Sequence, residues 1–294
     1  MQRQIEPPPV APRTRSAPVS RYWFQRNRRW LGDIGTIGLL LLVLFPFAWL
    51  VQMSFRPNKD ILGYELLFTP TLAHYKALWT GAFPASFVNS TITSISSTVL
   101  ALVIGVPAAY ALSRGGFRSS RRIALWVLAT RMAPPIAFTI PFFLAYRYLG
   151  LSDTLVGLII VYLTFNLALV IWMMQPFFDS VPRELEEAAR IDGASRFQAM
   201  ARIVLPLCTP GLLSAGIFCF TLAQNEFLYA LIFLSKSEIR TVPVGAITEL
   251  IRGDVFYWGQ LMAAALLGSV PVAIIYSFFV EHYVAGLTAG SVKS

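Results

Sequence analysis

The sequence predicts an all-α integral membrane protein with six transmembrane helices. Of its 294 residues 56% are hydrophobic and only 13% are charged, whereas a soluble domain has about 25% charged residues. The apolar residues gather in six long runs, each of about 18 residues or more, which is enough for an α-helix to cross a bilayer. Strands of an outer-membrane barrel would instead alternate in polarity over about 10 residues. The predicted spans are residues 34–51, 86–112, 123–149, 154–178, 208–234 and 261–283.

The chain before the first span differs in composition from the rest. Residues 1–30 are rich in Pro and Arg, as in the run Pro7–Pro9, and we expect a disordered tail because so few apolar residues cannot form a core. A secretory signal peptide is the competing interpretation. It is disfavoured because Ile34 to Val51 is long enough to span and no small-x-small cleavage site follows. We therefore divide the chain into this tail, a membrane domain over 31–285 and a short tail over 286–294.

The basic residues predict the orientation. Six spans place both termini on one side. If that side is the cytoplasm, sixteen Lys and Arg residues lie inside, six lie in the outer loops, and two, Arg131 and Arg147, lie in the third span. The positive-inside rule therefore puts both termini and the loop 179–206 in the cytoplasm. Because the net charge of +9 follows this topology, we do not expect nucleic-acid binding, and we expect lipid around the spans.

Several polar residues and prolines fall inside the predicted spans. In the second span Asn89, Thr93, Ser96 and Ser97 share one helical face, which favours close helix packing over solute binding. The third span should kink at two adjacent prolines and break again further along; these are Pro134, Pro135 and Pro141.

The fifth span has polar residues near its middle, Asn225, Glu226 and Tyr229. Polar and ionisable groups are costly in hydrocarbon, so these three either line a translocation path or hold helices together, within this chain or to a partner. Near the third-span prolines, Arg131 either donates to freed carbonyl groups or extends toward the cytoplasmic surface.

The loop 179–206 is polar and basic, and it predicts two short helices joined by a turn. Pro182 precedes a run of glutamates that suits a helix N-terminus, and Gly193 should end that helix. Ser195 and Gln198 have capping-box spacing, so a second helix should start there and be closed by Pro206. The result is a rigid elbow outside the bilayer, suited to docking on a partner protein.

The elbow carries a recognisable motif. Three features of this loop resemble the EAA loop of the membrane subunits of bacterial ABC importers: Glu187-Ala188-Ala189, then Gly193 after three intervening residues, then Ile203 to Pro206 after nine intervening residues. The resemblance implies the type I ABC importer fold in the inner membrane. It also implies a coupling helix that contacts the ATPase through Glu187, Ala188, Ala189, Asp192, Gly193, Leu205 and Pro206. The C-terminal tail, with Gly290 and Lys293, would reach into the ATPase dimer.

Further runs are similar to the carbohydrate-uptake branch of this family, in particular to the smaller, six-span subunit of maltose-type transporters. They are residues 224–231, Thr241 to Gly245, 258–264 and 286–293. The resemblance implies a second homologous permease, two ATPase subunits and an extracytoplasmic solute-binding protein touching residues 235–260. Gln224 departs from the family, which often has Trp there, and this puts the contacts to a sugar ring in doubt. Disaccharides, oligosaccharides and sugar alcohols all remain open as solutes.

Catalytic chemistry has no support in the sequence. No His, Cys or carboxylate cluster has metal-ligand spacing, and no Gly-rich phosphate loop of Walker type is present. We therefore expect this chain to be a transport subunit that binds no cofactor or metal, with ATP and Mg²⁺ held by the partner ATPase. The alternatives are an ABC permease for another solute class and a secondary transporter driven by an ion gradient. The latter generally has more spans, internal repeats and buried carboxylates.

Overall fold

The computed structural model describes residues 20–61, 63, 67–115 and 119–289, and these are almost entirely helical. The first half of the chain contains α1 (Ser20–Ser54), α2 (Asn58–Ile61), α3 (Ala73–Thr80), α4 (Phe83–Arg114), α5 (Ser120–Thr130), α6 (Pro135–Tyr148) and α7 (Leu155–Ser180). The second half contains α8 (Arg183–Ile191), α9 (Arg196–Ala199), a π-helical turn (Met200–Val204), α10 (Leu205–Leu207), α11 (Thr209–Gln224), α12 (Leu228–Phe233), a 3-10 turn (Ser237–Ile239), α13 (Val242–Leu250) and α14 (Trp258–Ala289). Two short antiparallel strands, β1 (Ile251–Arg252) and β2 (Val255–Phe256), form a hairpin before α14, with Ile251 opposite Phe256.

The chain forms two compact units. Met1–Leu50 includes most of α1, which is apolar from Asp33 onward, and Val51–Ser294 contains all the other elements. In the larger unit α4 packs along α7, and α11 packs against both. Their shared core includes Val170, Met174 and Phe178, all fully buried. Gly105 permits the close approach of α4 to α7, because a Cβ there would lie 2.7 Å from Val170 Cγ1.

The long helices agree with the predicted spans. Within the described residues, four helices are long and apolar enough to cross a membrane, and the number is six if each of two bent pairs counts as one span. The single helices are Asp33–Ser54, Phe83–Arg114, Leu155–Ser180 and Trp258–Phe279. They match the predicted first, second, fourth and sixth spans.

The third predicted span is broken, as its prolines indicated. Arg122–Thr130 and Pro135–Tyr148 meet at an angle of 84° across the segment 131–134. The second break predicted at Pro141 is wrong, because α6 runs through that residue without interruption. A single proline removes one helical hydrogen bond and can bend a helix without ending it.

The fifth predicted span also needs correction. We expected one helix over 208–234, but α11 ends at Gln224 and α12 starts at Leu228. The carboxylate of Glu226 accepts hydrogen bonds from the backbone N–H groups of Tyr229 (2.8 Å) and Ala230 (3.0 Å). This side chain therefore satisfies N-terminal donors of α12, which lets a new helix begin where the sequence has neither Pro nor Gly.

The elbow has the predicted caps. Gly193 follows α8 with a φ of +93°, a backbone conformation that glycine adopts most readily. Ser195 and Gln198 form the capping box of α9, each side chain bonding the backbone N–H of the other. The predicted end at Pro206 is wrong, because the helical path continues to Leu207 and turns at Cys208. The π-helical turn before Pro206, with Leu205 N–H donating to Met200 O, gives a wider ring in which a proline without an N–H is tolerated.

Candidate functional site

The elbow presents the EAA motif on its surface. Glu187, Ala188, Asp192 and Gly193 are exposed, whereas Ala189 is buried against the rest of the chain. Two large apolar side chains are also open on this surface, Ile191 (87% exposed) and Phe197 (66%). In the second half of the motif Leu205 is half-buried and Pro206 exposed. A polar helix pair with open apolar side chains is suited to contact with another protein.

A buried ion pair holds the elbow to α4. Arg114, the last residue of α4, donates through Nε to Glu186 Oε1 at 2.6 Å and through Nη2 to the carbonyl of Val181 at 2.6 Å. The hydroxyl of Tyr110, one turn earlier, donates to Glu186 Oε2 at 2.5 Å. Both carboxylate oxygens of Glu186 are therefore bound to α4, and the side chain next to Glu187 fixes the position of α8.

The sequence did not identify Glu186 as a functional residue. The available signal was a basic residue at the cytoplasmic end of the second predicted span and a glutamate one position before the motif. A cleft of about 380 Å³ lies beside this ion pair. It is lined by residues of both signs, including Glu187, Arg190 and Arg196.

A second site lies within the membrane-spanning part of the chain. A cavity of about 460 Å³ is lined by the segments around the α5–α6 bend, by the segments around the α11–α12 break and by α7. Its wall contains four aromatic side chains and a few polar ones, among them Phe138, Phe142, Phe165, Tyr229, Thr130, Thr164, Arg131 and Glu226. Arg131 comes from the bend between α5 and α6, and Glu226 comes from the break between α11 and α12.

The polar residues predicted in the fifth span are placed differently from one another. Glu226 and Tyr229 line the cavity, and the Tyr229 ring packs against Phe142 with 6.5 Å between centroids. Asn225 does not line it; this residue is exposed, and its Nδ2 donates to the carbonyl of Thr221. Although Arg131 and Glu226 line the same cavity, they form no ion pair within 4.0 Å of each other. The cavity therefore has apolar aromatic faces, two threonines, and a guanidinium and a carboxyl group that do not pair with each other.

The remaining site predictions concern the C-terminus and metals. Gly290 and Lys293 lie outside the described residues. No group of three or more His, Cys, Asp or Glu side chains in the described part of the chain could hold a metal ion. Both cysteines, Cys208 and Cys219, are buried as free thiols.

Membrane-length helices, a broken span beside a cavity and an exposed helical elbow define a multi-span membrane protein. Residues 77–288 match the family described as "Binding-protein-dependent transport system inner membrane component". The chain belongs to this family.

Curated relatives match over nearly their whole length. The chain is 37% identical over 277 residues to an inner membrane ABC transporter permease of Escherichia coli, covering 91% of this chain and 99% of the relative. It is 36% identical over 271 residues to the trehalose/maltose permease MalG of Thermococcus litoralis, covering 90% and 97%. A sulfoquinovosyl glycerol permease of Agrobacterium fabrum is 37% identical over 260 residues, covering 87% and 90%.

Solved structures give the same fold. A chain of a bacterial ABC transporter that imports the acidic polysaccharide alginate superposes with a TM-score of 0.70 at 24% identity, covering 92% of this chain and 99% of that one. The MetNI methionine ABC transporter in an inward-facing conformation superposes with a TM-score of 0.57 at 20% identity, covering 72% and 98%. The chain therefore has the fold of type I ABC importer permeases.

Proposed function

We propose that this chain is the membrane-spanning permease subunit of an ATP-driven, binding-protein-dependent importer of a sugar, an oligosaccharide or a polyol. The observation that carries the proposal is family membership over residues 77–288 together with the EAA motif, in which Glu187, Ala188 and Gly193 are exposed. The solute class is supported by relatives named for trehalose/maltose, sulfoquinovosyl glycerol and trehalose transport.

The membrane cavity supplies a chemical reason for this solute class. Aromatic rings can pack against the C–H faces of a sugar, and the separated guanidinium and carboxylate can bond its hydroxyl groups. We propose Arg131, Glu226 and Tyr229 as path residues, with the rings of Phe138, Phe142 and Phe165 as the apolar wall. Asn225 has no contact with this cavity and is proposed only for another part of the path.

Transport needs an energy source on another chain. The importer would contain a second homologous permease, two ATPase subunits that bind ATP and Mg²⁺, and an extracytoplasmic solute-binding protein. We place both termini and the elbow in the cytoplasm. The EAA surface from Glu187 to Gly193, with Leu205 and Pro206, would dock on an ATPase subunit, and Gly290 and Lys293 of the C-terminal tail would add contacts. Closure of the ATPase dimer then switches the membrane helices between outward-open and inward-open states.

The decisive experiment is purification of the complex through a tag on this subunit. Its ATPase rate is measured in lipid nanodiscs with a panel of sugars and polyols, each supplied with the solute-binding protein. We expect one solute to stimulate hydrolysis severalfold. Glu187→Lys should abolish the stimulation because it reverses a charge on the docking surface. Glu184→Lys, an exposed glutamate on the same helix, is the matched control and should retain it.

Two outcomes would contradict the proposal. A stable complex without any ATPase chain would favour a secondary carrier driven by an ion gradient. Stimulation only by amino acids, peptides or an inorganic ion would keep the ABC class and overturn the solute class.

A further inference from the structure

The second membrane span, α4, is an uninterrupted helix and, with α14, one of the two longest helices of the larger unit. α4 contains 32 residues from Phe83 to Arg114, and at 1.5 Å per residue it is about 48 Å long. The hydrocarbon core is about 30 Å thick, so such a helix extends beyond it. The third predicted span is broken at 131–134 and the fifth at 225–227, whereas α4 is continuous.

The inner end of α4 is bound to the elbow by charged groups. Arg114 and Tyr110 of α4 both contact the Glu186 carboxylate on α8, and Arg114 also reaches the Val181 carbonyl just before that helix. These contacts are short and largely shielded from water. A displacement of α8 must therefore either move the end of α4 or break a buried ion pair.

The outer end of α4 is bound to the segment 238–242 by a different set of polar groups. Asn89 Nδ2 donates to the carbonyl oxygens of Glu238 (2.9 Å) and Arg240 (3.1 Å). One residue later, Ser90 Oγ accepts the backbone N–H of Val242 at 2.8 Å. Three backbone groups of this segment are thus fixed to two adjacent residues of α4.

The middle of α4 contacts the broken fifth span. Ser94 Oγ donates to Gln224 Oε1 at 2.9 Å, and Gln224 is the last residue of α11, two positions before Glu226. Other hydroxyl groups on α4 differ, because those of Thr91, Thr93 and Ser97 bond only to carbonyls of α4 itself. Asn89, Ser90 and Ser94 therefore form a polar face that binds other elements, whereas the other three hydroxyl groups bond only within α4.

We propose that α4, a continuous helix that contains Pro107, acts as a strut between the outer segment 238–242 and the elbow, and that Asn89 and Ser90 are positioning residues for this coupling. Docking of the external solute-binding protein against the outer segment would shift α4 and, through Arg114 and Glu186, the helix that faces the ATPase. The inference rests on the proposed function, because it requires a binding protein outside and an ATPase inside. The inference adds α4 as the element that connects the binding protein to the ATPase.

The test uses the complete complex with its solute-binding protein in nanodiscs. Basal and solute-stimulated ATPase rates are compared for the wild type, the double variant Asn89→Ala/Ser90→Ala and the control Thr91→Val. We expect the double variant to assemble and to keep the wild-type basal rate, while its stimulation by solute falls at least tenfold. The control lies on the same helix and loses a hydroxyl that bonds only the Phe87 carbonyl, so its stimulation should remain that of the wild type.

A covalent replacement separates coupling from general packing. Asn89→Cys and Ser90→Ala remove the native contacts, Glu238→Cys supplies a second thiol, and a short bismaleimide then rejoins positions 89 and 238 by adding to both thiols. We expect the unlinked protein to be uncoupled and the linked protein to regain stimulation, a recovery that a packing defect alone would not allow.

The outcomes separate the strut from the proposed function. If solute stimulates the ATPase rate of the wild type and of the double variant equally, the strut alone is overturned. A linked protein whose ATPase is still not stimulated by solute has the same consequence. A wild-type complex that responds to no solute overturns the proposed function and the strut together.

Discussion

Arg131 lies at the bend between α5 and α6, Glu226 lies at the break between α11 and α12, and both line one cavity without pairing. In a low-dielectric region an ionised side chain is costly in free energy, and a nearby group of opposite charge lowers that cost. We propose that the two groups together favour a solute without net charge that offers hydroxyl groups to both, and that the aromatic wall favours a ring.

Replacing Glu226 by Gln tests this charge balance. The amide keeps the size of the side chain and one acceptor for the α12 backbone, but it leaves Arg131 uncompensated. We expect uptake to shift toward acidic sugars, with the ratio of uronic acid to neutral sugar transport rising about tenfold, equivalent to about 1.4 kcal/mol. Competition uptake into proteoliposomes measures the ratio. The double variant Arg131→Gln/Glu226→Gln restores neutrality and should recover the original preference; an unchanged ratio in the single variant would contradict the assignment.

The residues of this cavity were only partly accessible from the sequence. Glu226 and Tyr229 stood out because polar groups are rare inside apolar runs, and both line the cavity. Asn225 met the same criterion and bonds only its own helix. Phe138, Phe142 and Phe165 gave no signal, because an aromatic residue in an apolar span has the same appearance whether it meets lipid, core or cavity.

At the scale of elements, the elbow is the part whose local structure follows most directly from its residue types. Helix ends need partners for their free backbone groups, so Gly193, Ser195 and Gln198 mark the turn between α8 and α9. The position of the elbow against α4 was not predictable. It depends on Arg114 and Glu186, which are separated by more than 70 positions in the chain and have no local pattern that relates them.

The turn at Gly193 offers a clean test of elbow rigidity. A Cβ at Gly193 meets nothing within 4 Å, so Gly193→Ala costs backbone strain rather than a clash, about 1–2 kcal/mol at a positive φ. We expect faster amide hydrogen exchange across α8 and α9 and fewer solute molecules imported per ATP hydrolysed.

Gly216→Ala is the matched control for this turn. Gly216 lies inside α11, and its added Cβ would meet only Leu102 Cδ1 at 3.5 Å, an ordinary contact. This variant should exchange and transport as the wild type does. Wild-type exchange and coupling in Gly193→Ala would show that the turn does not need its glycine.

At the scale of the whole molecule, apolar length and proline placement were sufficient to predict the four membrane-length single helices and the break in the third span. The break in the fifth span was not predictable, since it depends on a carboxylate that caps α12 from within an apolar run. The same holds for α4: its polar face indicated an interface, but the partners of Asn89 and Ser90 lie about 150 positions away, in the segment 238–242.

The predicted orientation can be checked with single cysteines. Ser237 and Ser180 are both exposed, the first in the segment after α12 and the second at the end of α7. An impermeant maleimide should label Ser237→Cys in intact spheroplasts and Ser180→Cys only after permeabilisation. The native Cys208 and Cys219 are buried and should give little background. Labelling in the reverse order would place the elbow outside and exclude contact with a cytoplasmic ATPase.

The 84° bend at 131–134 also bears on how the protein is made. Neither Arg122–Thr130 nor Pro135–Tyr148 reaches the roughly 20 residues that a helix needs to cross the hydrocarbon alone. Each half leaves backbone groups at the bend that lipid cannot satisfy, and the first carries Arg131 at its end. We therefore expect this segment not to be released into lipid as an independent helix during synthesis. Its stable insertion should follow the synthesis of α7 and the fifth span, so that biogenesis would depend on late, cooperative assembly around the third span.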